Sequence, residues 1–217
     1  MAAYFNLVLD TTAPSGGSIT LDARTNVVNI TAGISATGAT YMKLWGDICA
    51  SAGGPAIDET DASWVAYAAT ANIILTAQDG TKTVYVRFKD DVGNESAATS
   101  ASTILDTTGP VVTIVGPDVS KISKVAGFNV SAFSFSCTED FNEWTVRVVP
   151  STSSTHTAGT EIPTTGGSTN MHGTTPTAAS TAVNCSIYGA DLETASSGDG
   201  AKIIKVFVKD VTGNWST

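Results

Sequence analysis

Hydrophobic and polar residues alternate with a period of two along much of this chain. In VVNITAGIS (27–35) the alternation puts Val28, Ile30 and Ala32 on one face. In TYMKLWGD (40–47) it sets Met42 and Leu44 against Tyr41, Lys43 and Trp45. In TKTVYVRFKD (81–90) it sets Val84, Val86 and Phe88 against Tyr85 and Arg87. GSITLD (17–22), TANIILT (70–76) and ATSASTILD (98–106) complete a first set of runs. A second set follows in VVTIVG (111–116), FNVSAFSFSC (128–137), EWTVRVV (143–149), VNCSIYG (183–189) and AKIIKVFVKD (201–210). Gly, Asn, Asp and Pro separate these runs, which predicts antiparallel strands with one buried face. Six or seven such strands in about 95 residues predict a β-sandwich. No run of helical period stands out.

Two phrases recur in the order A, B, A, B. LDTTAP (9–14) returns as LDTTGP (105–110), and VRFKDDVGNES (86–96) returns as VFVKDVTGNWS (206–216). Repetition of phrases in the same order identifies the folding unit, and the first phrase returns after 96 residues. The chain is therefore read as all-β, with two tandem sandwiches joined by a short DTTGP linker. The expected boundaries are an N-terminal strand segment at 1–13, a first domain at 14–106 and a second at 107–217. The second carries a long polar insertion at about 150–182. That stretch is rich in Thr, Ser and Gly with little apolar periodicity, so a loop or polar hairpin excursion is expected there. The Pro of each DTTxP phrase blocks strand pairing, and the Gly-Asn of each KDxxGN phrase fits a tight reversal.

Composition narrows the function classes. Only 14% of the 217 residues are charged, and the net charge is −9. An acidic chain without basic clusters argues against nucleic acid or an anionic membrane as partner. No run of about 18 apolar residues spans a bilayer, and MAAYFNLVLD lacks the basic start of a signal peptide. Three cysteines make no disulfide framework. Cys137 and Cys185 sit in strand-like runs, which admits a bridge across the sandwich. Synthesis without a leader favours free thiols, and Cys49 reads as a small, partly buried thiol.

The run DGTKTVYVRFKDDVGNES (79–96), preceded by SWVAYAAT (63–70) and bracketed by LDTTAP and LDTTGP, resembles bacterial and phage immunoglobulin-like (Ig-like) repeats. The likeness covers nearly all of the first domain and the two ends of the second. It implies two Ig-like sandwiches. It also implies the roles such repeats serve: spacers, adhesive modules, decorations of phage tails, baseplates and capsids, or tandem units of bacterial surface proteins.

Candidate chemistry is sparse. His156 and His172 both fall in the polar insertion, and neither has a sequence partner that marks a catalytic or metal site. No enzyme is expected, and no cofactor. Calcium is the one candidate ion. Strand order places Asp90, Asp91 and Asn94 near Asp10, and Asp210 and Asn214 near Asp106, where oxygens at a domain pole are suited to Ca²⁺. The competing expectation is that each Asp caps its own turn. Trp64, Trp144 and Trp215 read as core or edge packing, with Trp215 also an interface candidate.

The expected function is that of a virion structural protein of a phage, in the tail, the baseplate or the capsid decoration. Its partners would be other virion proteins, further copies of itself or a host surface glycan. A bacterial cell-surface adhesin module is the alternative, followed by a carbohydrate-binding accessory module. In the N-terminal segment Phe5, Leu7 and Leu9 alternate with Asn6 and Val8, as in the strand SASTILD that precedes LDTTGP. These residues are therefore interface candidates for strand donation to an open sheet edge.

Overall fold

The computed structural model describes residues 4–151 and 153–217. Residues 1–3 of the N-terminal segment and residue 152 of the insertion lie outside the described residues. The fold is all-β and sandwich-like. The chain divides into two compact units between Thr107 and Thr108, inside the LDTTGP phrase.

Among the described residues the first unit holds nine strands: β1 (Ser15–Thr20), β2 (Arg24–Thr25), β3 (Asn29–Thr37), β4 (Tyr41–Gly46), β5 (Ile48–Cys49), β6 (Val65–Ala66), β7 (Thr70–Leu75), β8 (Gly80–Lys89) and β9 (Thr99–Leu105). One sheet has the order β1-β3-β7-β5 and the other β2-β9-β8-β4-β6. Ile19, Ala32, Ile34, Ile73 and Leu75 from the first sheet share a core with Met42, Val84, Val86, Phe88 and Leu105 from the second. These are the inward positions of the period-two pattern. Each of the Val, Leu, Ile, Met and Phe side chains among them contributes roughly 1.5–3 kcal/mol on leaving water, before the entropy cost. The outward positions are covered in part as well. Trp45 stacks on Tyr85 across the β4–β8 pair, with ring centroids 5.6 Å apart and planes 12° apart. The Lys43 ammonium and Arg87 guanidinium lie over the Trp45 ring. Trp45 is buried on the face that alternation assigns to solvent.

The second unit holds β10 (Val112–Val115), β11 (Val130–Cys137), β12 (Phe141–Val148), β13 (Thr160–Glu161), β14 (His172–Gly173), β15 (Val183–Tyr188), the helix α1 (Gly189–Ala195) and β16 (Ile204–Asp210). Its first sheet is β10-β11-β15. In the second, β12 pairs with β16 along its length and with β13 and β14 at separate stretches. Phe135, Phe141 and Trp144 form a three-ring cluster with centroids 6.1 Å apart. Cys185, Ile187, Val146, Val206 and Val208 pack around them.

Two expectations need correction here. The insertion, expected as a loop or polar hairpin excursion with little apolar content, is built into the sandwich. It supplies β13 and β14, and its Ile162 and Met171 are fully buried in the core. Its apolar residues are too few and too widely spaced to show a period, yet each sits beside a two-residue ladder on β12. The N-terminal segment, expected as a strand, has no strand structure over Tyr4–Leu9. Tyr4, Phe5, Leu7, Val8 and Leu9 are all more than 80% exposed. A lone strand has no ladder partner to satisfy its backbone.

α1 was not apparent from the sequence. Its seven residues, GADLETA, include the good helix formers Ala, Leu and Glu. Leu192 and Ala195 turn to the core, and the Ser196 N–H closes the last turn on the Leu192 carbonyl.

Candidate functional site

The KDxxGN phrases build the same turn twice. In the first unit Asp90 Oδ1 accepts the N–H groups of Val92, Gly93 and Asn94 at 3.0, 2.7 and 2.8 Å. Its Oδ2 accepts Asn94 Nδ2 at 2.7 Å. In the second unit Asp210 Oδ1 accepts Thr212, Gly213 and Asn214 at 2.7, 2.6 and 2.9 Å, and its Oδ2 accepts Asn214 Nδ2 at 2.9 Å. The glycines adopt φ of 100° and 107°, a region that a side chain disfavours. Burial alone would raise the Asp90 carboxyl, but the hydrogen bonds from Asn94, Gly93 and Val92 outweigh it and hold the group below its ordinary value. A short return segment then closes each turn. Ser96 and Ser216 donate their N–H groups to Phe88 and Val208, and their hydroxyls accept the same two residues' N–H groups.

The calcium candidates fall out as follows. Asp10 does come to the Asp90–Asn94 turn, where its carbonyl accepts Asn94 Nδ2 at 3.3 Å. Its carboxylate instead accepts Thr12 N–H, two residues on. Asp91 is exposed beside the turn. Asp106 follows β9 and donates its N–H to the Thr25 carbonyl. Asp210 and Asn214 are the two ends of the second KDxxGN turn. At Asp90 and Asp210 an ion would compete with four N–H donors already in place.

The two turns differ at their outer position. In the first unit Glu95 sits there and lies 3.5 Å from Arg87. In the second the matching residues are Trp215 and Phe207, the latter buried. Trp215 stacks on His156 with centroids 4.1 Å apart and planes 6° apart. That pair rims a cleft of about 480 Å³ on the outer face of β12. Alternation along β12 points Glu143, Thr145 and Arg147 into it. β13 adds Glu161 and β14 adds His172.

The polar groups of the cleft are tied together. Glu161 Oε1 lies 2.8 Å from His172 Nδ1, and its Oε2 accepts Thr145 Oγ1 at 2.9 Å. Arg147 donates to the carbonyls of Ala158 and Gly159, which pins the start of the insertion to the sheet. Lys209 pairs with Glu143 at 3.2 Å and lies over the Trp215 ring. Among the described residues neither histidine is hydrogen-bonded to a Ser, Thr or Cys. The chemistry presented is a flat ring pair beside carboxylates and a guanidinium, a surface suited to binding a polar ligand.

Sequence reasoning placed both histidines in a loop without partners. The structure brings His172 to the cleft on β14, a ladder too short to carry a period, and His156 from the turn before β13, where it stacks on Trp215. Trp64 is half-buried at the edge of the first unit, beneath the Lys43 and Lys89 ammonium groups. The three cysteines are free and buried. Burial pushes the Cys185 thiol up to about 12, and burial with the nearby Glu139 carboxylate pushes Cys137 up to about 11.

No protein-family model and no curated protein matches this chain. Among solved structures it is similar to chitinase ChiA74 from Bacillus thuringiensis, at 12% identity over 93% of this chain with a TM-score of 0.35. The match spans 30% of that chain's length.

Proposed function

We propose that the protein is a non-enzymatic structural component of a phage virion, in the tail, the baseplate or the capsid decoration. Its two sandwich units act as Ig-like assembly and attachment modules. The observation that carries this reading is the duplicated turn. Asp90 and Asp210 wrap KDDVGN and KDVTGN in the same set of hydrogen bonds. DTTAP and DTTGP stand at matching places, just ahead of β1 and of β10. This combination is what resembles the phage and bacterial repeats. The proposed partners are other virion proteins and further copies of the chain. Antibody labelling and mass spectrometry of purified particles test the location. Signal at the tail, baseplate or capsid supports the reading; recovery in the bacterial envelope with none in particles replaces it with the adhesin alternative.

A second reading rests on the cleft. Aromatic faces beside carboxylates and a guanidinium suit a polyhydroxylated ligand, so the attachment role would run through a surface glycan. A glycan array reads this directly. Binding that Trp215→Ala abolishes supports it, and an array with no signal removes it.

A further inference from the structure

β10 is the outermost strand of its sheet, which runs β10-β11-β15. The sandwich topology sets that position. In the first unit β9 pairs with β2 and β8, and the corresponding strand β1 is outermost in its own sheet as well. The two edges stand at matching places, just after DTTAP and DTTGP, but their chemistry differs.

β1 contains Gly16 and Gly17, and its register breaks between Ser15 and Ser18. Its one large apolar side chain, Ile19, is buried. A bulged edge of small residues resists further pairing. β10 has no such protection. It pairs with β11 without a break, from Val112 opposite Cys137 to Val115 opposite Ser134. The run VVTIV (111–115) holds no charge, Gly or Pro. Val111, Ile114 and Val115 are 63%, 45% and 68% exposed. An unprotected apolar edge is a template for another strand.

The run is also self-complementary. Reversed, VVTIV reads VITVV, so an antiparallel second copy centred on Thr113 meets like with like. Val112 falls opposite the partner's Ile114, Val111 opposite the partner's Val115, and Thr113 opposite itself. The backbone agrees with this register. The Val111 carbonyl accepts the Thr138 N–H at 3.2 Å. By alternation Thr113 and Val115 also bond towards β11, and Val112 and Ile114 turn their N–H and C=O groups to the free edge. Those are the residues that the two-fold sets opposite each other, so each Val112–Ile114 pair exchanges both its bonds. Thr113 and the Val111–Val115 pairs then fall at the closer, non-hydrogen-bonded sites, where side chains meet. Moving the axis to Val112 brings in Pro110, which has no N–H. Moving it to Ile114 brings in Gly116, whose φ of 115° leaves the strand.

We infer that β10 pairs antiparallel with β10 of a second copy about a two-fold axis at Thr113, joining the two three-stranded sheets into one. Such a contact is isologous and closes at the dimer. Main-chain hydrogen bonds supply affinity, and the symmetric side chains supply register. The interface is short and belongs to the weak, transient class. It stands or falls independently of any virion location.

Disulfide trapping and light scattering test it on the 217-residue chain, whose own cysteines are buried. A non-hydrogen-bonded pair sets its Cα atoms about 4.5 Å apart, within disulfide reach. Under mild oxidation Thr113→Cys should form a covalent dimer. Val111→Cys and Val115→Cys should each stay monomeric alone and crosslink when mixed. Val125→Cys, at another exposed position, reports random collision and should crosslink far more slowly than Thr113→Cys. The mass of the unmodified chain should rise with concentration towards twice the chain mass and no further. Thr113→Lys puts two ammonium groups face to face on the axis and should return the chain to monomer with its urea midpoint unchanged. A monomer at every concentration overturns the inference. So does trapping of Val111→Cys alone, or of Val125→Cys as fast as Thr113→Cys, or a Thr113→Lys chain that still dimerises.

Discussion

The Asp191 carboxylate accepts the Gly166 N–H at 2.6 Å, joining the first turn of α1 to the middle of the insertion. Its second oxygen accepts the Ser168 N–H at 2.8 Å. Burial alone would raise this carboxyl, but the hydrogen bonds from Ser168, Gly166 and Thr165 outweigh it and hold the group below its ordinary value. Asp191→Ala leaves the buried Ser168 N–H unmet and frees the more exposed Gly166 N–H, and should cost about 1–3 kcal/mol in urea unfolding at neutral pH. The depressed folded-state value also sets a sign. The stabilisation is present above the unfolded value of about 3.9 and lost as pH falls through the folded one. Wild type minus Asp191→Asn stability should therefore shrink on acidification below about pH 4.

Asp210 is almost fully buried and accepts four N–H donors of its own turn. Asp210→Ala should destabilise the second unit by about 2–3 kcal/mol. Hydrogen exchange checks the location of the effect. The Thr212, Gly213 and Asn214 amides should lose protection in the variant before those of β12 do.

Gly173 sits against Trp144, and a Cβ there would overlap the indole ring. The Trp144 Nε1–H is held by the Asn170 carbonyl at 3.1 Å, so the ring has little room to retreat. Gly173→Ala should cost about 1–3 kcal/mol through overpacking. Near-ultraviolet circular dichroism should change with it.

Cys137 and Cys185 should resist thiol reagents in the folded state. Burial raises both, to about 11 and about 12, so almost no thiolate exists at pH 8. A chromogenic disulfide reagent should titrate them only in denaturant. Fast reaction of either in native buffer would contradict the packing described.

The strand pattern was legible because each long strand buries one face, which writes a period of two into the sequence. Val84, Val86 and Phe88 are where that pattern puts them. Trp45 departs from it because Tyr85, Lys43 and Arg87 cover the outer face of its sheet. The insertion was illegible for a different reason. Ile162 and Met171 reach the core from two-residue ladders, and two residues cannot express a period. The turns at Asp90 and Asp210 were legible as turns, since Asp, Gly and Asn each have a local task there. The cleft was not, because its residues come from β12, β13, β14, a loop and Trp215. Only pairing across the sheet brings them together.

The Asp90 and Asp210 turns are closed almost wholly by residues within six positions of the carboxylate, so they depend little on what surrounds them. That makes each turn a portable part. The second unit carries the insertion, α1 and the His156–Trp215 stack, yet its turn keeps the same bonds. A designer could exchange the outer residue, Glu95 in one unit and Trp215 in the other, and graft a new contact there without rebuilding the sandwich beneath it.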